Sequence, residues 1–257
     1  MKSETLPFSI AWKPACALLA GYAAVLVAAG IGFSSLRAAT PIRTTLCFLL
    51  IETVAVGVGA PFLWATQRQR NDWRAAIAGI LLPLLGIEML TLAACGAFSA
   101  RTHAALFLAQ VFLLAFALLL TAAAAFLVSL HRRAATAQLM ASLLALAMIG
   151  NVLYTNPAIE GLTGGRSRPI VLAAILWTNP WMIVAGSILQ EDPLRATDLY
   201  TWSVIKYYGF DYPAASVAST GSRALLLAGV YAAAALALWA IPRGVRGKFR
   251  GAKAIEN

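Results

Sequence analysis

Two acidic residues occupy positions where an ionised group is costly. Glu52 falls in the middle of one long apolar run and Glu88 inside the next. A carboxylate at the centre of a bilayer costs several kcal/mol, so an intramembrane acid reads as a proton or ion site, or as one half of a polar contact. For Glu52 the plainer reading is a neutral acid hydrogen-bonded to a neighbouring helix; for Glu88 it is a position close to the inner interface. The basic stretch Gln67-Arg-Gln-Arg-Asn-Asp-Trp-Arg74 lies between these two runs. With Trp64 and Trp73 flanking it, it has the composition of a cytoplasmic membrane connection.

Other chemistry-bearing residues are sparse. His103 and His131 lie at opposite ends of one apolar run, which excludes a joint metal or catalytic site within one bundle. Gly161-Leu-Thr-Gly-Gly-Arg-Ser167 lacks the lysine of a phosphate loop and reads as a flexible turn. Cys16, Cys47 and Cys95 sit within apolar runs as small packing residues, with neither zinc spacing nor a disulfide framework. Asp192, Arg195, Asp198 and Asp211 are either vestibule groups or solvated loop charges. None of this is an enzyme signature.

The elements that must position these residues are membrane helices. The chain of 257 residues is 61% apolar and 12% charged, with a mean hydropathy of +0.78. Several windows of about 20 residues carry at most one ionisable group, as the hydrocarbon core demands. Crossings are expected at residues 15–33, 46–65, 75–98, 104–130, 135–154 and 224–241. Pro83 and Gly86 are candidates to divide the third into a half-turn and a shorter span. The run at 170–189 is apolar enough to cross, but Thr178-Asn179-Pro180-Trp181 interrupts it.

Charge decides between six crossings and seven. With six and both termini cytoplasmic, twelve of the 20 Lys and Arg residues fall inside, and three on the short outer connections. Short loops set orientation, which favours six. The expected fold is all-α, with a broken re-entrant or surface-lying helix pair before the last crossing, in an outer segment at 156–222. Asn179 and adjoining helices would satisfy the backbone groups that the break frees. The aromatic tract 190–213 is expected at headgroup level, and the net charge of +10 is matched to anionic lipid and not to nucleic acid. The first crossing reads as retained, without a cleavage pattern.

Three stretches resemble the permease subunits of ABC-2 type ABC transporters, in particular the small six-span permeases grouped with copper-enzyme maturation and gliding motility. They are Ala60-Pro61 through Arg74 to Leu82-Pro83-Leu-Leu-Gly-Ile-Glu88, Ala125 through the paired arginines Arg132 and Arg133 to Gln138, and Asn179-Pro180 through Asp198-Leu-Tyr200 to Tyr208-Gly-Phe-Asp-Tyr-Pro213. The tip departs from the family in being basic where a glutamate-rich coupling helix is usual, and the connection between the first two crossings is short. The resemblance implies a non-enzymatic subunit of a bacterial inner membrane, with ATP and Mg bound by a separate ATPase subunit and a second permease chain completing the pathway. Coupling would fall to Arg68, Arg70, Asp72 and Arg74, and an outer lid to Asn179 and Pro180. The same hairpin also suits a structural anchor of a respiratory or assembly complex, and Glu52 an ion carrier.

Overall fold

A computed structural model describes residues 12–35, 40–67, 73–99, 104–131, 133–151, 178–189 and 223–240. These residues form seven helices and no strand: α1 (Trp12–Ser35), α2 (Pro41–Gln67), α3 (Trp73–Ser99), α4 (Ala104–His131), α5 (Ala134–Ile149), α6 (Pro180–Leu189) and α7 (Arg223–Ala240). Five of them, α1, α2, α3, α4 and α7, are long and apolar enough to cross a membrane, as a multi-pass membrane protein requires. The 16 residues of α5 extend only about 24 Å, short of the roughly 30 Å hydrocarbon core.

Local sequence explains where two of these helices start. Thr40 precedes Pro41, and Asn179 precedes Pro180. In each case the polar side chain accepts from the third helical N–H, Arg43 N to Thr40 Oγ1 at 3.3 Å and Met182 N to Asn179 Oδ1 at 3.2 Å. Proline suits the first helical position because its missing N–H is one the helix leaves unpaired anyway. Within the helices, Thr45, Thr53, Thr91 and Thr121 donate to the carbonyl four residues back, at 2.7–3.1 Å. Their protons are thereby placed within the same helix.

Pro83 and Gly86 do not divide the third helix. α3 runs unbroken from Trp73 to Ser99 across Pro83, as α2 does across Pro61. Each proline removes one backbone bond, whereas ending the helix would strand several polar groups in an apolar surrounding.

α2 and α4 form the centre. Of their apolar windows 61% is buried, against 17% for α1 and 28% for α7, which therefore lie at the rim. α2 touches α1, α3, α4, α5 and α6. Gly57 faces Ala145 on α5, where an added Cβ would come within 3.1 Å of the alanine methyl. Phe48 on α2 meets Phe98 on α3 edge-on at 5.9 Å. Phe112 and Phe116, one turn apart on α4, receive the ring of Tyr231 from α7 at 5.4 and 6.1 Å. Leucine, isoleucine, valine and methionine side chains remain exposed on α1, α5 and α7, among them Ile31, Leu143 and Leu236, the composition of a lipid-facing surface.

The run at 170–189 is broken where Asn179 and Pro180 predict. Thr178 is helical, Asn179 is not, and α6 restarts at Pro180. Pro180 through Ser187 are all buried, with α6 lying against α4 and α2, so this half of the expected pair is enclosed by the bundle and does not lie on its surface. Residues 152–177 and 190–222, with the glycine-rich turn, the aromatic tract and Asp192, Arg195, Asp198 and Asp211, lie outside the described residues.

Candidate functional site

Four helices bring polar side chains together around Glu52. Glu52 lies near the middle of α2 and is fully buried. Gln110 reaches it from α4, its Nε2 donating to Glu52 Oε2 at 2.9 Å. On α3, Glu88, Thr91 and Cys95 follow one another at a spacing of three and four residues, which puts them on one helix face, and all three are buried. Glu88 lies about midway along α3, well removed from the basic tip. Glu88, Thr91 and Cys95 are all close enough to Glu52 to interact electrostatically with it. Tyr22 enters from α1, its hydroxyl 2.6 Å from Thr91 Oγ1. Thr91 Oγ1 also lies 3.1 Å from Ile87 O, so it can donate along its own helix while accepting from Tyr22.

The cluster holds more acceptors than donors. The bond to Glu52 fixes the Gln110 amide, since a carboxylate oxygen takes the NH2 side. That leaves Gln110 Oε1 without a partner, and Glu52 Oε1 and Glu88 Oε1 are likewise buried and unpartnered. Each such atom costs about 1–3 kcal/mol relative to a paired one. The basic side chains that α1 to α4 carry, Lys13, Arg43, Arg74 and His131, all belong to end turns, so the two carboxyl groups have no mid-helix cation.

A second polar node holds the broken helix. Asn179 is fully buried. Besides capping α6 through its oxygen, it donates from Nδ2 to Ile149 O at 2.9 Å and to Asn151 Oδ1 at 2.7 Å. Asn151 Nδ2 donates to Thr178 Oγ1 at 3.2 Å, and Tyr231 OH donates to Thr178 O at 3.2 Å. The end of α5 and the start of α6 are thereby tied to Asn179, and α7 is tied to the preceding Thr178. Pro180 is the first residue of α6 and is buried as well.

The basic tip is bounded by the helices it joins. Residues 68–72, with Arg68, Arg70 and Asp72, lie outside the described residues, and Arg74 belongs to the first turn of α3. At the base of the tip, Gln67 is buried with both amide atoms unpartnered. Its amide presses on Gly79, where an added Cβ would stand 2.5 Å from Gln67 Cδ. A Cβ there would displace that amide, which is the free end of a flexible side chain.

The sequence marked Glu52, Glu88, Asn179 and Pro180, and the structure assigns the acids and the Asn-Pro pair to two separate nodes. It adds Gln110, Tyr22, Thr91, Asn151 and Tyr231, which sequence reasoning passed over, and it buries Gln67, which the sequence placed in the basic tip. Gln110 had a usable signal, as the one amide in the apolar run of α4. Among the described residues no group of three or more His, Cys, Asp or Glu side chains converges as a metal cluster. Comparison with protein-family models, with curated proteins and with solved structures gives no match for this chain.

Proposed function

We propose that this chain is the transmembrane permease subunit of an ATP-driven transporter of the ABC-2 type, coupling ATP hydrolysis by a separate ATPase subunit to the export or movement of a substrate. The observation that carries the reading is the place of α2 in the bundle. The helix that ends at the basic tip is also the one in contact with α1, α3, α4, α5 and α6. A push on the tip is therefore delivered to the centre of the bundle and not to a peripheral hairpin, as a two-state rearrangement driven from one side requires.

In this reading the chain crosses a bacterial inner membrane six times with both termini cytoplasmic, and a second permease chain, identical or paralogous, completes the pathway. The ATPase grips the tip through Arg68, Arg70, Asp72 and Arg74, with ATP and Mg confined to that partner. The break at Asn179 and Pro180 is the pivot of an outer lid, since α6 there is held by side-chain hydrogen bonds and not by a continuous helix.

Purification of the tagged full-length chain in mild detergent, with mass spectrometry of its partners and an ATPase assay of the eluate, tests the proposal. The expected result is a stoichiometric nucleotide-binding subunit and hydrolysis that responds to added lipid. Recovery of redox or other membrane subunits alone, without ATP hydrolysis, would instead make the chain a structural anchor.

A further inference from the structure

The permease reading leaves the polar cluster inside the bundle without a task. Three buried oxygens from three helices, Glu52 Oε1 on α2, Glu88 Oε1 on α3 and Gln110 Oε1 on α4, have no hydrogen-bond donor. Each belongs to a side chain at most 6% exposed. Gln110 is bonded to Glu52, Tyr22 is bonded to Thr91, and Glu88, Thr91, Tyr22 and Cys95 all act on or feel the Glu52 carboxyl, so the neighbours of Glu52 are mainly carboxylate, carboxamide and hydroxyl oxygens. Tyr22 from α1, and Glu88 and Cys95 from α3, are the titratable groups that face Glu52, while α4 contributes only the uncharged Gln110.

A single proton on one carboxyl supplies one donor and leaves the other acceptors as they are. A small ion with its charge at one centre satisfies several oxygens at once and offsets the carboxylate charge. Oxygen-dominated donor sets that include carboxylates select hard cations over soft ones. From these observations we propose that Glu52, Glu88 and Gln110 form an intramembrane binding site for a hard cation of the sodium or calcium class, with Tyr22 and Thr91 bordering it. The site is independent of the permease reading, because it rests on α1 to α4 alone and uses neither the basic tip nor an ATPase.

The test is equilibrium binding of radioactive sodium or calcium to the purified full-length protein in lipid nanodiscs, at constant ionic strength balanced with choline chloride. Thermal unfolding is measured under the same salts. Saturable binding of one of the two ions, approaching one per chain, is expected, with a higher unfolding temperature in that ion than in choline. Glu52→Gln keeps the side-chain shape and removes the charge, and it should abolish both effects; Gln110→Ala should weaken binding at least tenfold. Asn179→Ser, which loosens the distant node at the broken helix, separates general destabilisation from loss of the site and should leave ion binding intact. Which ion binds identifies the cargo of the site. Absence of saturable binding of either ion to the wild-type protein, or binding unchanged in Glu52→Gln, would overturn the proposal. So would stability that follows pH while ignoring both cations, since that behaviour belongs to a proton site.

Discussion

Replacing Asn179 separates three contributions that one side chain makes to the broken helix. Asn179→Ala removes the cap on Met182 N and the two bonds to Ile149 O and Asn151 Oδ1. A lost N-cap costs about 1 kcal/mol, and an interhelical hydrogen bond in a membrane protein averages about 0.6 kcal/mol. Together they predict a destabilisation of about 2 kcal/mol, roughly a 30-fold shift in the unfolding constant. Asn179→Ser keeps an oxygen within reach of the α6 N-terminus and loses only the two Nδ2 bonds, so about half of that loss is expected. Asn179→Asp also keeps the cap, but turns an acceptor toward Ile149 O and Asn151 Oδ1, and should be the least stable of the three. Unfolding free energies measured by steric trapping in bicelles give the order directly. An alanine variant within about 0.5 kcal/mol of wild type, or a serine variant no better than alanine, would refute the claim that this asparagine both caps α6 and ties it to its neighbours.

Other substitutions probe the remaining contacts. Gly79→Ala displaces the Gln67 amide, which ends a flexible side chain and has no hydrogen bond to lose, so the helix-interior preference of alanine over glycine, about 1 kcal/mol, should leave the melting temperature in detergent at or above that of the wild type; a large drop would show that the amide is held in place. Gln110→Leu deprives Glu52 of its donor and should destabilise by about 1–3 kcal/mol, while adding the mutation Glu52→Leu should recover part of it in a double-mutant cycle. Tyr22→Phe removes the hydroxyl bonded to Thr91 and should lower stability by about 0.6 kcal/mol, leaving insertion unchanged in a protease-protection assay.

The helices were legible because each long apolar run has room for little else. Once the hydrocarbon core requires internal hydrogen bonding, length and composition alone define an α-helix, and α1 through α4 fall on the runs that the sequence shows. The break before α6 was legible for a local reason: asparagine is a favoured cap and proline a favoured first helical residue, and proline disfavours helix in the residue before it. Pro83 misled because proline carries an intrinsic helix penalty, while the cost of ending α3 in an apolar surrounding depends on its neighbours and is invisible along the chain.

The polar clusters were hidden by separation. Gln110 lies 58 residues from Glu52, and Tyr22 lies 69 residues from Thr91. An apolar helix has no polar face to announce its orientation, so periodicity does not say which side of α4 turns toward α2. Gln67 was read as the first residue of an exposed tip, yet it is buried against a glycine, a contact that depends on how closely α2 and α3 approach.

The basic connection between those two helices bears most directly on the account as a whole. Residues 68–74 are replaced by glycine and serine in the full-length chain, and the purified complex is reconstituted in nanodiscs for measurement of ATP hydrolysis relative to the ATPase subunit alone. The account predicts normal insertion and an unchanged melting temperature for the membrane chain, with hydrolysis no longer responding to its presence. Hydrolysis that still responds to the altered chain as it does to the wild type would contradict it.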